Sequence, residues 1–205
     1  MQNTLSYSLD SILELPKEFR RNLINCLSGF KSASLVGTIN EQKITNLSVI
    51  SSVFHVGAHP PLMGMLMRPH SVPRHTLENI YATGFYTINH IKEDFYPKAH
   101  YTSARFPEEE SEFTGTGLSE EYTQTHVAPY VAEASLKIGL ELKENHTLQN
   151  ETVLIVGQIV ELILPEEAVL EDGFVDLNKA GTLAISGLDS YHQVEAGRRL
   201  AYAKY

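Results

Sequence analysis

The densest chemistry in the chain lies at Arg68, His70, Ser71, Arg74, His75 and Thr76, which put two arginines, two histidines and two hydroxyls within nine positions. Cations and hydroxyls at this spacing describe a site for a small anion. A phosphate takes charge-assisted donors, and Arg74, His75 and Thr76 fall in the first turn of an expected helix, where unpaired backbone N–H groups and the helix dipole add to them. The bland alternative is a solvated basic loop. Upstream, residues 44–52 alternate as a strand does: Thr45, Leu47, Val49 and Ser51 point one way, and Asn46, Ser48, Ile50 and Ser52 the other. A row of small amides and hydroxyls can hold the polar rim of a flat heterocycle whose rings rest on apolar side chains. Without a neighbouring anion site, the same row would simply face solvent.

Other constellations carry less. His55 with His59, and His70 with His75, have no acid or third ligand at ligating spacing, so no metal site is expected. Cys26 is the single cysteine; it excludes an internal disulfide, gives no reason for an oxidising compartment, and has no catalytic partner beside it. Tyr191 and His192 serve either as packing or as a reach toward substrate, and His192 is the candidate catalytic side chain. Walker loops, Ser-His-Asp arrangements and CxxC pairs are absent from the sequence.

These residues need a scaffold, and 205 residues with 42% hydrophobic and 20% charged side chains can bury one sizeable core. A single domain over 1–205 is expected. The formal charge of −9 argues against nucleic-acid and anionic-membrane partners. The polar start lacks a basic segment followed by an apolar run, and the most apolar stretch, 153–164, is broken by Gly157, Gln158 and Glu161, so a soluble cytoplasmic protein is expected. Residues 16–27 read as an amphipathic helix through Phe19, Leu23 and Leu27, ended by Gly29, and within the N-terminal segment 1–30 this helix is expected to pack on the body. Strands are expected at 32–39, 44–52, 62–67, 85–89, 134–144, 152–164 and 182–187, and helices at 74–82 and 93–104. Residues 107–121, with Glu108, Glu109, Glu110 and Glu112, read as an acidic solvated loop. Many strands with few helices predict a mainly β chain, an antiparallel barrel or sandwich with peripheral helices.

From about residue 31 to residue 91, and more loosely to Tyr191 and His192, the chain resembles the flavin reductase-like family of FMN-binding split-barrel proteins. The resemblance is carried by residues 46–53 (Asn-Leu-Ser-Val-Ile-Ser-Ser-Val), 60–63 (Pro-Pro-Leu-Met), 74–80 (Arg-His-Thr-Leu-Glu-Asn-Ile) and 83–89 (Thr-Gly-Phe-Tyr-Thr-Ile-Asn). Residues 99–104, with Glu112, Phe113, Gly117 and Leu118, are similar to the family's middle segment, and 187–191 to its end. The resemblance implies a Greek-key split barrel, usually a homodimer, holding FMN without a covalent bond in a cleft near the subunit interface. On it, Asn46, Ser48, Ile50, Ser51 and Ser52 line the isoalloxazine, while Arg68, Ser71, Arg74 and Thr76 hold the phosphate and His75 is a further cofactor-binding residue whose own hydrogen bonds the resemblance does not assign. Asn79 braces that loop, and Asn89 is a further contact. Many members have Lys-Asp-Thr where this chain has Arg74-His75-Thr76, so the cation is kept and the acid lost. The implied activity is hydride transfer from NADH or NADPH to bound flavin, with a small-molecule substrate or a partner oxygenase downstream. The alternatives are a non-enzymatic FMN store or redox sensor, and a flavin-dependent oxygenase.

Overall fold

The computed structural model describes residues 3–69 and 73–205. In chain order the elements are α1 (Leu9–Glu14), α2 (Lys17–Cys26), β1 (Lys31–Ser32), β2 (Ser34–Ile39), β3 (Thr45–Ile50), β4 (Phe54–Ala58), β5 (Pro61–Met67), α3 (His75–Thr83), β6 (Phe85–His90), α4 (Tyr96–Tyr101), α5 (Glu112–Thr116), β7 (Glu120–Glu121), β8 (Tyr130–Val131), β9 (Lys137–Thr147), β10 (Val153–Ile163), β11 (Ala184–Ser186) and β12 (Ser190–His192). Seven strands form one sheet in the order β3-β2-β6-β9-β10-β5-β4, antiparallel at every pairing. A smaller sheet, β1-β11-β12, lies beside it. The chain is mainly antiparallel sheet with few helices, as the strand pattern predicts. Among the described residues no helix is long and apolar enough to cross a membrane.

Strand β2 is buried along its whole length, because successive side chains enter opposite cores. Val36 joins Met65, Ile80, Tyr86, Ile88, Leu140 and Ile155. Leu35 joins Leu47, Ile91, Phe95, Phe113 and Ile185. A strand covered on both faces shows no polar alternation, which is why residues 34–39 read as an unbroken run of apolar and small residues. The expected strand 32–39 is divided at Ala33: Lys31 and Ser32 pair with β11 of the small sheet, while Ser34 onward pairs with β3 and β6.

Two expectations need correction. Strand β4 escaped sequence reading because a bulge between His55 and Gly57 breaks its alternation, and as an end strand it is mostly exposed. The acidic stretch 107–121 is not all solvated loop. Ser111 caps α5 by accepting from Phe113 N–H at 3.3 Å, and Glu112 and Phe113 are buried. Helix α2 forms, with Leu23 half-buried and Cys26 Sγ 3.0 Å from where a Cβ on Gly187 would stand, while Phe19 and Ile24 stay exposed.

Glycine fixes two features near the site. Gly84 ends α3 in the left-handed region at φ 76° and turns the chain into β6. Gly37 lets the segment around Pro129 close on the sheet, with Thr87 Oγ1 donating to Pro129 O at 2.6 Å; a methyl at Gly37 would run into both of those oxygens. Gly37→Ala is therefore expected to lower stability by about 1–3 kcal/mol, the usual range for overpacking, read as a lower urea midpoint with an unchanged slope.

Candidate functional site

Strand β3 ends the large sheet, so one row of its backbone groups faces away from β2. Side chains from the α4–α5 region cover that row. Leu47 N–H donates to Glu112 Oε2 at 2.9 Å, and Val49 N–H donates to Thr102 Oγ1 at 2.9 Å, while the Thr102 hydroxyl donates to Ala99 O at 2.8 Å. Thr45 Oγ1 lies 2.6 Å from Ser111 Oγ and donates to Glu120 Oε1 at 2.6 Å. The cover stops after Val49. Among the described residues no protein acceptor meets the backbone N–H of Ser51, Ser52 or Val53, all three of which are half-buried. The Ser52 hydroxyl instead donates to Leu66 O at 2.8 Å and accepts from Leu66 N–H at 3.2 Å, fastening the end of β3 to β5.

That fastening brings the open N–H groups close to the basic residues. Arg68 follows β5 directly, Arg74 is the N-cap of α3, and Arg105 follows α4, whose end is held to β3 through Thr102. The Arg74 guanidinium is held below the usual arginine range, first by partial burial and then by the positive charges of Arg68 and Arg105. Its Nε donates to Pro69 O at 3.5 Å. Among the described residues none of the three arginines pairs with a carboxylate. The Glu78 carboxylate accepts from the Arg74 backbone N–H at 3.2 Å; the three guanidinium groups repel one another, and an anion bound among them relieves that repulsion.

Helix α3 completes this corner. Asn46 Nδ2 donates to Thr76 Oγ1 at 2.8 Å, and Asn79 Nδ2 donates to Thr38 Oγ1 at 3.1 Å, so its first two turns are tied to β3 and β2. Accepting from Asn46 leaves the Thr76 hydroxyl proton available to a ligand. Asn46, Thr76 and Asn79 are buried, and the amides of Asn46 and Asn79 act here as anchors. Ser48 and Ile50 are half-buried on the same side of β3 as Asn46, with Ile50 packed against the α3 core. His75 is half-buried, and its charge opposes the upward push that burial gives the Glu112 carboxyl. Ser71 lies outside the described residues.

Two sequence assignments change. Asn89 is fully buried: its amide donates to Leu35 O at 3.3 Å and Thr87 Oγ1 at 2.9 Å and accepts from Val131 N–H at 3.0 Å. It is a core clamp rather than a cofactor contact. His192 is built into the small sheet, with Nε2 2.8 Å from Ser186 Oγ and its ring edge-on to Phe30 at 4.9 Å. Tyr191 instead faces α4, with ring centroids 5.3 Å from Tyr96 and 5.8 Å from His100. Its hydroxyl is 3.3 Å from His100 Nδ1 and is pushed up to about 12 by burial and by Asp189. Tyr96, Tyr191 and Val49 all pack against the same core, Val49 lying two positions before Ser51. Arg105 escaped sequence reading because no motif marks it, and His100 lay in the segment 99–104 without a role assigned to it; Thr102 on Val49 is what brings both in.

The flavin reductase like domain, as a family, matches residues 30–181. The chain belongs to this family. A protein from Shewanella frigidimarina NCIMB 400, assigned as a flavin reductase with a split barrel domain, is 49% identical, superposes with a TM-score of 0.94, and covers 98% of this chain and 100% of its own. Nitrilotriacetate monooxygenase component B from Bacillus cereus (18% identity, TM-score 0.84, 98% and 100% covered) has the same fold. Flavoredoxin from Desulfovibrio vulgaris (Miyazaki F) shares it over 85% of this chain and 92% of its own, at 23% identity and a TM-score of 0.73. The architecture is thus a split barrel, with β3 and β4 the end strands of its large sheet.

Burial raises Glu112 above the ordinary glutamate value of 4.5, against the lowering effect of the Leu47 N–H. The folded state therefore keeps this proton to higher pH than the unfolded state, and the group's contribution to stability falls as pH rises from 4.5 through the raised value. Urea midpoints measured across that window should show a downward trend in the wild type that is weaker in Glu112→Gln.

Proposed function

We propose that this chain is an FMN-dependent oxidoreductase of flavin reductase type, using NADH or NADPH as donor. The observation that carries the reading is the trio Arg68, Arg74 and Arg105, whose guanidinium groups pair with no carboxylate among the described residues, beside a strand end whose backbone N–H groups meet no protein acceptor among them. Such a donor set fits FMN: a phosphate for the cations and a polar ring rim for the edge. Bound FMN would supply the ring that accepts the hydride.

The chain's own part is binding and orientation. The three arginines, with the Thr76 hydroxyl and the first turn of α3, hold the phosphate end. The N–H groups of Ser51, Ser52 and Val53 fix the rim of the ring, and the wall of Tyr96, His100 and Tyr191 beside Val49 limits water at that side. Hydride transfer needs donor and acceptor held in contact rather than a general acid or base, in keeping with a corner built from cations, open amides and aromatic rings. A second reading, a non-enzymatic FMN-binding electron store, is favoured by the engagement of His192 with Ser186 and Phe30, which occupies the side chain expected to meet a donor. A partner oxygenase or a diffusible acceptor would take the electrons under the first reading.

Anaerobic addition of NADH or NADPH to the FMN-loaded protein tests the two. Bleaching of the flavin absorbance within seconds supports the reductase; a spectrum that stays oxidised supports the store. Arg105→Ala and Arg74→Ala should each weaken FMN by about 1.5–3 kcal/mol, the scale of a lost charge-assisted partner, or roughly 10- to 100-fold in Kd. Riboflavin, which lacks the phosphate, should lose much less, and equal losses for both ligands would remove the phosphate role.

A further inference from the structure

The head of α3 carries charge of both signs. Arg74 stands there with Arg68 and Arg105 near enough for their charges to act on it. His75, one residue on, is half-buried and lines a polar cavity of about 10 Å³, room for a single water. Asn40, Thr45, Asn46 and Asn79 make up much of its wall, and Glu108 and Glu110 complete it. These acids are held in position. Glu110 N–H donates to Pro107 O at 3.1 Å, closing a turn, and beyond it Ser111 Oγ lies 2.6 Å from Thr45 Oγ1. Glu112 is buried on Leu47 N–H, where the charge of His75 acts on it. The charged groups around His75 are thus Arg74 and Glu78 on its own helix, and Glu108, Glu110 and Glu112 on the segment across the cavity.

We infer that the proton on His75 sets the affinity of this corner for a dianion, which places phosphate binding under the control of pH. The inference rests on the reading of Arg68, Arg74 and Arg105 as a phosphate site, and it assigns that site a regulator. Arginines stay charged at every pH the protein meets, so the trio cannot supply such a response. A histidine changes charge between about pH 5 and pH 8. With its proton, His75 offsets the fields of Glu108 and Glu110 and adds a cation to the first turn of α3, where the helix dipole already favours an anion. Without it, the carboxylates stand unopposed beside the ligand's own negative charge. Glu112 works in the same direction, since its carboxyl, raised by burial, becomes an anion as pH rises. Affinity for a dianion is therefore highest while His75 is charged and falls as the pH is raised.

Competition of inorganic sulfate with FMN, followed by flavin fluorescence at constant ionic strength between about pH 6 and pH 8, tests it. Sulfate keeps both charges across that range, whereas a phosphate monoester takes up a proton at about pH 6, so sulfate reports the titration of the protein alone. Wild-type affinity for sulfate should fall roughly 3- to 5-fold across the range, the scale of one partly exposed charge pair. His75→Gln should be flat at the wild-type value for high pH, and His75→Lys flat near the value for low pH. Glu108→Gln with Glu110→Gln should tighten sulfate at high pH, and riboflavin should bind without the slope. His70, which lies outside the described residues, is the competing source of a titration, and His70→Gln should keep the slope. A wild type without a slope, a slope that survives His75→Gln, or one lost in His70→Gln overturns the inference. Arg74→Ala separates it from the phosphate reading. If that variant leaves sulfate competition unchanged, the phosphate site itself falls and its regulator with it; if it weakens sulfate while the His75 variants keep the wild-type slope, only the control by pH falls.

Discussion

An end strand must do something with the backbone groups that no neighbour pairs, and in this chain the answer organises the whole site. β3 has β2 on one side only. Its outer N–H groups at Leu47 and Val49 are met by a buried carboxylate and a threonine hydroxyl, not by another strand. Leaving a buried amide unpaired costs about 1–3 kcal/mol, so these contacts anchor α4 and α5 against β3. Where the cover ends, at Ser51, the edge opens. The cleft is thus the uncapped continuation of a capped strand edge.

The same contacts decide where the charges go. Thr102 on Val49 carries the chain toward Arg105, Ser52 on Leu66 draws in the segment leading to Arg68, and Asn46 on Thr76 places Arg74 at the head of α3. Each is a neutral hydrogen bond of modest strength, and together they hold three cations in one corner against their mutual repulsion. Buried asparagines and threonines are therefore the framework of the site, and the more exposed arginines are its ligand-facing groups. Glu112 has a double part, since it satisfies Leu47 while standing close enough to His75 for the two charges to interact.

Part of this was legible from residue order. The alternation of residues 44–52 assigned Asn46, Ser48 and Ile50 to one side of β3 and Thr45, Leu47 and Val49 to the other, which is how they lie. The helix expected at 74–82 is α3, which runs His75–Thr83. Less legible were roles that depend on what sits opposite. Asn89 looks like a polar residue at a strand end, yet its amide is used up by Leu35, Thr87 and Val131. Glu112 looks like one of several solvated acids, yet the edge of β3 needs its carboxylate. Strand β4 is hidden because a bulge at an exposed edge has no regular period.

The sequence by itself determined the strand-rich antiparallel class, the placement of α3, and the concentration of cations and hydroxyls between Arg68 and Thr76, because periodicity, capping and composition are local. Only the tertiary structure decided that Arg105 joins Arg68 and Arg74, that the edge opens at Ser51, and that Tyr191 rather than His192 turns toward α4. Those are facts about which distant groups meet, and the hydrogen bonds and packing that bring them together leave no period in the chain.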